Sequence, residues 1–283
     1  MAPKVSVFLL VAAFALCLPF SASASVVDLG AAGDYVLLAA GYPYGARAGT
    51  MILGSASEPL GNTGAWGTLL IGPASHIGGN LDYGGYASIA AGVSIDGQKR
   101  KLSSSQWQII RGDLVLASQA AAAMAGVSMP SITAGLVLSS ESGGLTVVNI
   151  NGGIYLGAGE KLVLRGGAND RFVINFTGGL DLGPGAGIVL DGVMGQNVLF
   201  NMYGGNVDSS PIARMDRAEL NGVFLAPDRF WIIGDGMRIN ARVLVSGVQA
   251  NIQTIEPPTV PAPAALALLI CGAVTLLRRP HKK

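Results

Sequence analysis

The sequence predicts a mainly β protein: a β-solenoid of short, glycine-cornered coils with one α-helix packed alongside. Three observations predict it. Glycine fills 41 of 283 positions, about twice the ordinary ~7%. No Gly-x-y period accompanies it, and hydrophobic residues hold at 50%, so many short Val, Ile and Leu strands meet at tight turns. Second, the chain repeats itself: residues 156–179, LGAGEKLVLRGGANDRFVINFTGG, align without a gap on residues 182–205, LGPGAGIVLDGVMGQNVLFNMYGG, with nine of 24 positions identical. Such self-similarity marks stacked units that bury an apolar face only against one another. Third, a single amphipathic pattern of helical period interrupts the strands.

Taken in order, residues 1–24 read as a signal peptide and its helix. Lys4 supplies a positive n-region, Val5 to Phe20 is apolar, and Ala22-Ser23-Ala24 is a small-x-small cleavage site, which places the mature start at Ser25. The solenoid is expected over residues 25–253. Its N-terminal coils show as apolar pulses set off by glycine at Leu69–Gly72, His76–Leu81, Ala87–Ile89 and Ile95–Gly97. The helix is expected over residues 104–125. Ser103 to Ser105 offer N-caps, Gly126 a C-cap, and Trp107, Ile110, Leu114, Ala117 and Ala121 fall on one face, so this stripe predicts a core contact along the strand stack. The long repeat follows. Asn175 and Asn201 recur inside its apolar strands, leaving two alternatives, an inward amide ladder or outward-facing side chains. A shorter echo sets Leu220–Ala226 against Ile239–Val245 at an offset of 19.

Residues 254–263 read as a Pro-rich linker and residues 264–283 as a short hydrophobic helix with a basic tail. Ala264 to Leu277 is apolar except for Thr275, and as a helix of roughly 21 Å it falls short of a ~30 Å hydrocarbon core. Arg278, Arg279, Lys282 and Lys283 would hold that end on the cytoplasmic side.

Composition narrows the chemistry. Removing five of 18 basic residues with the two ends leaves 13 against 17 acidic ones, a net charge of −4, which disfavours nucleic acid. Both cysteines, Cys17 and Cys271, lie in the ends, and His76 is the single histidine between them. Cysteine nucleophiles and His/Cys metal clusters are thereby excluded from the body, and no Gly-x-Ser-x-Gly elbow exists. Gly183-x-Gly185-x-Gly187 lacks the rest of a dinucleotide loop and reads as a solenoid corner. Asp208, Asp216, Glu219 and Asp228 gather around an irregular segment. A pair of them could act as acid and base on a glycosidic bond; the alternative is a solvated loop paired with Arg214, Arg217 and Arg229. Asp181, Asp191 and Asp208 have no dense oxygen-ligand run for calcium. No catalytic, cofactor-binding or metal residue is therefore assigned.

The tail, with Pro-x-Pro, a short hydrophobic helix and terminal arginines in that order, resembles the PEP-CTERM sorting signal in its VPLPA variety. Val260, Pro261, Pro263 and Ala264 fit; Ala262 departs, standing where that form has Leu. The resemblance implies recognition by an exosortase through Val260–Ala264 and Arg278-Arg279, after signal peptidase acts at Ala22, Ala24 and Ser25, with transient insertion of the tail in the inner membrane. Residues 145–253 resemble, at Arg171–Phe176, Gln196–Asn201, Asn221–Pro227 and Ile239–Leu244, the choice-of-anchor A and ice-binding-protein-like β-solenoid families. Together these resemblances imply an exported surface or matrix protein without catalytic activity, with a surface polysaccharide as a further partner. Ice binding is the alternative, against which neither repeat copy carries a Thr-x-Thr column and Thr146 and Thr177 stand isolated. A polysaccharide-acting enzyme is the second alternative.

Overall fold

The computed structural model describes residues 26–41, 47–140, 144–204, 213–215 (backbone only), 217–251 and 254–258. Residues 1–24 and 260–283, expected to be a signal peptide and a sorting tail, lie outside the described residues. Among the described residues, 19 strands form one parallel ladder system wound into a solenoid, and two more, His76–Ile77 and Ser94–Ile95, complete it. Each coil makes three short runs. The offset-26 repeat is one such coil on the next: Leu156 stands over Leu182, Leu164 over Leu190 and Asn175 over Asn201. The offset-19 echo is another, with Leu220 over Ile239 and Ala226 over Val245.

Turns fall where L-residues are disfavoured. One corner position takes left-handed φ in coil after coil, at Gly159 (76°), Gly185 (73°) and Gly236 (68°), where the missing Cβ removes the steric objection. Alternate residues point into the lumen. There Phe200 and Phe224 stack at 4.8 Å and Trp231 meets Phe224 edge-on, all three fully buried.

The order of coils along the axis is not the order of the chain. Residues 127–139 form one end, and successive coils run up to residues 238–256. The next coil is the N-terminal one, because Leu37 stands over Val243 and Met51 over Val248. From there the stack continues through Asn62–Ala65 and Leu81–Tyr83 to Lys99–Lys101 at the far end. The helix α1 (Ser104–Ala122) then returns along the outside.

α1 begins on a capping box, the Ser103 side chain accepting from Gln106 N–H while Gln106 Oε1 accepts from Ser103 N–H. The five expected core residues are buried, and Ser118 joins them. They pack on Leu38, Val173, Leu199, Leu225 and Leu244, the outward side of one face of the solenoid, forming a second core separate from the lumen. Each such aliphatic or aromatic side chain contributes roughly 1.5–3 kcal/mol on burial. The helix ends three residues before the expected 125. Ala123 is the C-cap, and Gly126 does not adopt the left-handed cap; it sits against Val147, whose carbonyl a Cβ would strike. A second boundary also shifts: Thr254–Glu256 pairs with Arg238–Asn240, so the solenoid extends past 253 and takes up the start of the expected linker.

The amide ladder exists, and it faces α1 rather than the lumen. Asn201 Nδ2 donates to Asn175 Oδ1 at 2.9 Å, and Asn175 Nδ2 to Asn149 Oδ1 at 2.9 Å. The same amides donate to the Ser118 and Ala121 carbonyls, and Ser118 Oγ donates to Asn201 Oδ1 at 2.6 Å. Near the other end of the helix, buried Asp82 accepts two 2.7 Å bonds from Arg100 and one from the Tyr35 hydroxyl. Burial, then the bond to Asp82, pushes the Tyr35 phenol well above its ordinary pKa.

Candidate functional site

The three faces of the solenoid differ in what they offer a partner. The first is covered by α1. The second is charged: its outward line runs Lys161, Gly187, Glu219, Arg238 and Thr254 in register. It continues through Glu58 to His76, whose Nδ1 lies 3.3 Å from Glu58 and whose Nε2 lies 3.0 Å from Asp96. The two carboxylates hold opposite ring nitrogens, so they clamp the imidazole between neighbouring coils. The bonds to Asp96 and then Glu58 raise its pKa.

The third face is bare. Two outward lines cross five coils in register: Phe230, Gly247, Thr50, Thr68 and Tyr86, of which Phe230 and Gly247 are buried, and beside them Ile232, Gln249, Ile52, Leu70 and Ser88. Over these five coils neither line carries a charge of its own, but Arg47 lies over the Phe230 ring at 5.4 Å, and beyond Ile232 the second line continues in register into Arg214 and Asp181. Inward neighbours Met51, Leu53, Leu69 and Ile71 are buried and anchor the backbone. The coils keep one length from Met51 onward, Met51, Leu69 and Ala87 following at intervals of 18, so the strands stack evenly over those two steps of about 4.8 Å. Tyr86 is 65% exposed. Further along, Tyr155 and Asp181 stand outward in register, and Tyr155 is 39% exposed.

The sequence-derived candidates distribute as follows. The residues of the signal cleavage site and of the sorting motif lie outside the described residues, as do Asp208 and Asp216. Glu219 and Asp228 are not brought together: Glu219 lies on the charged face, 4.0 Å from Lys161, whereas Asp228 pairs with Arg111 of α1 at 3.2 Å. Arg229 bonds the Thr177 carbonyl instead of Asp228, and burial lowers its pKa. Asp191 is held by Arg165 at 2.7 Å. Gly183, Gly185 and Gly187 form a solenoid corner and the strand start beyond it. Among the described residues no helix is long and apolar enough to cross a membrane.

The bare face escaped the sequence reading. Its signal was present: Thr50-Met-Ile-Leu-Gly54 repeats as Thr68-Leu-Leu-Ile-Gly72, an outward hydroxyl and an outward aliphatic side chain alternating with buried positions.

No family model matches the chain, and no curated protein matches its sequence. Its fold does match solved structures. An ice-binding protein from the Antarctic ascomycete Antarctomyces psychrotrophicus superposes with a TM-score of 0.56 at 18% identity, over 83% of this chain and 98% of that one. A glycosylated ice-binding protein from an Arctic yeast gives 0.52 at 18% identity, over 84% and 96%. An ice-binding protein from an Antarctic biological consortium gives 0.51 at 15%, over 86% and 96%. At these identities the likeness is one of fold: the chain is a β-solenoid built like those of ice-binding proteins.

Proposed function

We infer that this protein is an exported, non-catalytic β-solenoid that binds ice through its bare face. One observation carries this reading. Of the three faces, only this one carries a registered pairing of hydroxyl and aliphatic groups on evenly spaced coils, Thr50 with Ile52 and Thr68 with Leu70, with the charges of Arg47 and Asp181 set to one side of the pair. A charged group holds its own hydration shell and spoils a regular water layer; a threonine hydroxyl set between apolar groups fixes one. The fold shared with ice-binding proteins supports the reading but does not carry it, since fold alone does not transfer function. In this reading the signal segment exports the chain, and an exosortase acts on the tail to leave it at the cell surface or in the matrix. Thermal hysteresis and recrystallisation assays test the binding: wild type is active, Thr68→Tyr loses the activity while keeping its circular dichroism, and a wild type no better than buffer refutes it. Intact mass of the native protein tests the sorting, which requires an end near Val260 that disappears without the exosortase.

A second reading, adhesion to a surface polysaccharide, is favoured by Tyr86 and Tyr155, exposed rings on the same face that suit stacking on sugars.

A further inference from the structure

The charged face holds a groove that the bare-face reading does not use. Two shallow cavities, about 320 and 220 Å³, lie side by side and share Glu219 as a wall. Coil length explains the notch. Lys161 is followed 26 residues later by Gly187 above it, Gly187 after 32 by Glu219, but Glu219 after only 19 by Arg238. The wall steps inward where long coils give way to short ones.

The larger cavity gathers Lys161, Arg217 and Arg238, three cations against the one carboxylate of Glu219. Arg217 occupies the corner position that Gly159, Gly185 and Gly236 fill in neighbouring coils, and it does so with φ 48°. A side chain there is sterically disfavoured. The chain nonetheless keeps an arginine where its own repeats use glycine, and its stem crosses Gly236, whose added Cβ would come within 3.2 Å of Arg217 Cγ. The smaller cavity has a different lining. Leu190 and Met194 are half-exposed on its floor, and beside them Asn240 Nδ2 donates to Asn221, whose own amide donates to Glu219 and the Ile188 carbonyl.

We propose that this groove binds an acidic sugar unit, a hexuronate of an extracellular polysaccharide. Its carboxylate sits between the Arg217 and Arg238 guanidiniums with Lys161 behind, a geometry that planar arginine forks suit. Its hydroxyls meet Asn240 and Glu219, and the apolar face of the pyranose ring lies on Leu190 and Met194. The site is independent of ice binding, because no residue of the bare face lines it.

Calorimetric titration of the whole protein with trigalacturonate, the neutral galactotriose and dextran sulfate tests the proposal. Trigalacturonate binds, and galactotriose binds at least tenfold more weakly, the loss expected for a missing charge-assisted contact. Arg217→Gly weakens trigalacturonate about tenfold without lowering the melting temperature, because glycine suits that corner; Arg238→Ala weakens it similarly. Equal affinity for the acidic and neutral trimers, wild-type affinity in Arg217→Gly, or binding of dextran sulfate with none of trigalacturonate would each overturn it.

Discussion

Asn175 shows how one residue can be bound to three neighbours at once. Its amide donates to Ala121 of α1 and to Asn149, and its carbonyl accepts from Asn201, all in a fully buried setting. Replacing it by Ala leaves Asn149 Oδ1 and one N–H of Asn201 short of partners, while the Ala121 carbonyl keeps its bond from the Met124 N–H, and each unpaired buried polar group costs about 1–3 kcal/mol. Some of that relaxes, and Asn175→Ala is expected to lose about 2–4 kcal/mol in urea denaturation; a loss below the error of the method would mean that the ladder is decorative. His76 is the pH-sensitive counterpart. Its pKa is raised by Asp96 and Glu58, so the protonated clamp stabilises the fold fully below its unfolded value of about 6.5. That contribution is lost as pH climbs through the higher folded-state value. The melting-temperature gap between wild type and His76→Gln is therefore widest in mild acid and narrows towards alkaline pH. A gap that widens with pH would contradict the assignment.

At the scale of elements, α1 was legible because its signals are local: a serine cap and an apolar stripe at helical spacing. Its end was not legible, because Gly126 looks like a cap in sequence while serving a close approach to Val147. Likewise the amide ladder was foreseeable from the recurrence of Asn175 and Asn201, but its direction was not, since whether a strand's outward face is solvent or helix depends on where α1 lies. Gly112 gives the element its own test. It sits inside α1 with nothing within 4 Å of where a Cβ would be. Glycine there retains only its entropic cost, so Gly112→Ala should raise stability by about 0.5–1 kcal/mol, read as a higher denaturant midpoint. No gain would mean that the helix is held wholly by its buried side and is indifferent to its own propensity.

At the scale of the molecule, the offset-26 repeat announced the solenoid because its copies are consecutive. The splice between its two halves had no such signal: Leu37 and Val243 are 206 positions apart, and strands that pair across so long a separation share no period. The full extent of the bare face was hidden for the same reason, its coils coming from residues 230–249 and 50–88, although the 18-residue step from Thr50 to Thr68 was readable within the second part. This splice reverses the usual gradient of stability. Chain ends ordinarily open first. Here Tyr35–Ala39, close to the N-terminus, is buried at every position and lies between Arg238–Ala250 and Asn62–Ala65. The two ends of the stack are instead mid-chain segments: Lys99–Lys101 is exposed throughout, and Val127–Ile132 is mostly exposed or half-exposed, each with a ladder partner on one side. In a solenoid each coil is stabilised by its neighbours, so a coil with one neighbour opens before a coil with two. Native-state amide exchange should therefore find Tyr35–Ala39 and Val243–Val245 slower than Lys99–Lys101 and Val127–Met129 by roughly two orders of magnitude, since opening energies run from near zero to the global value. If Tyr35–Ala39 exchanged with the fast group, the N-terminal coil would not be seated on the C-terminal one, and the bare face, which crosses that joint, would not exist as one surface.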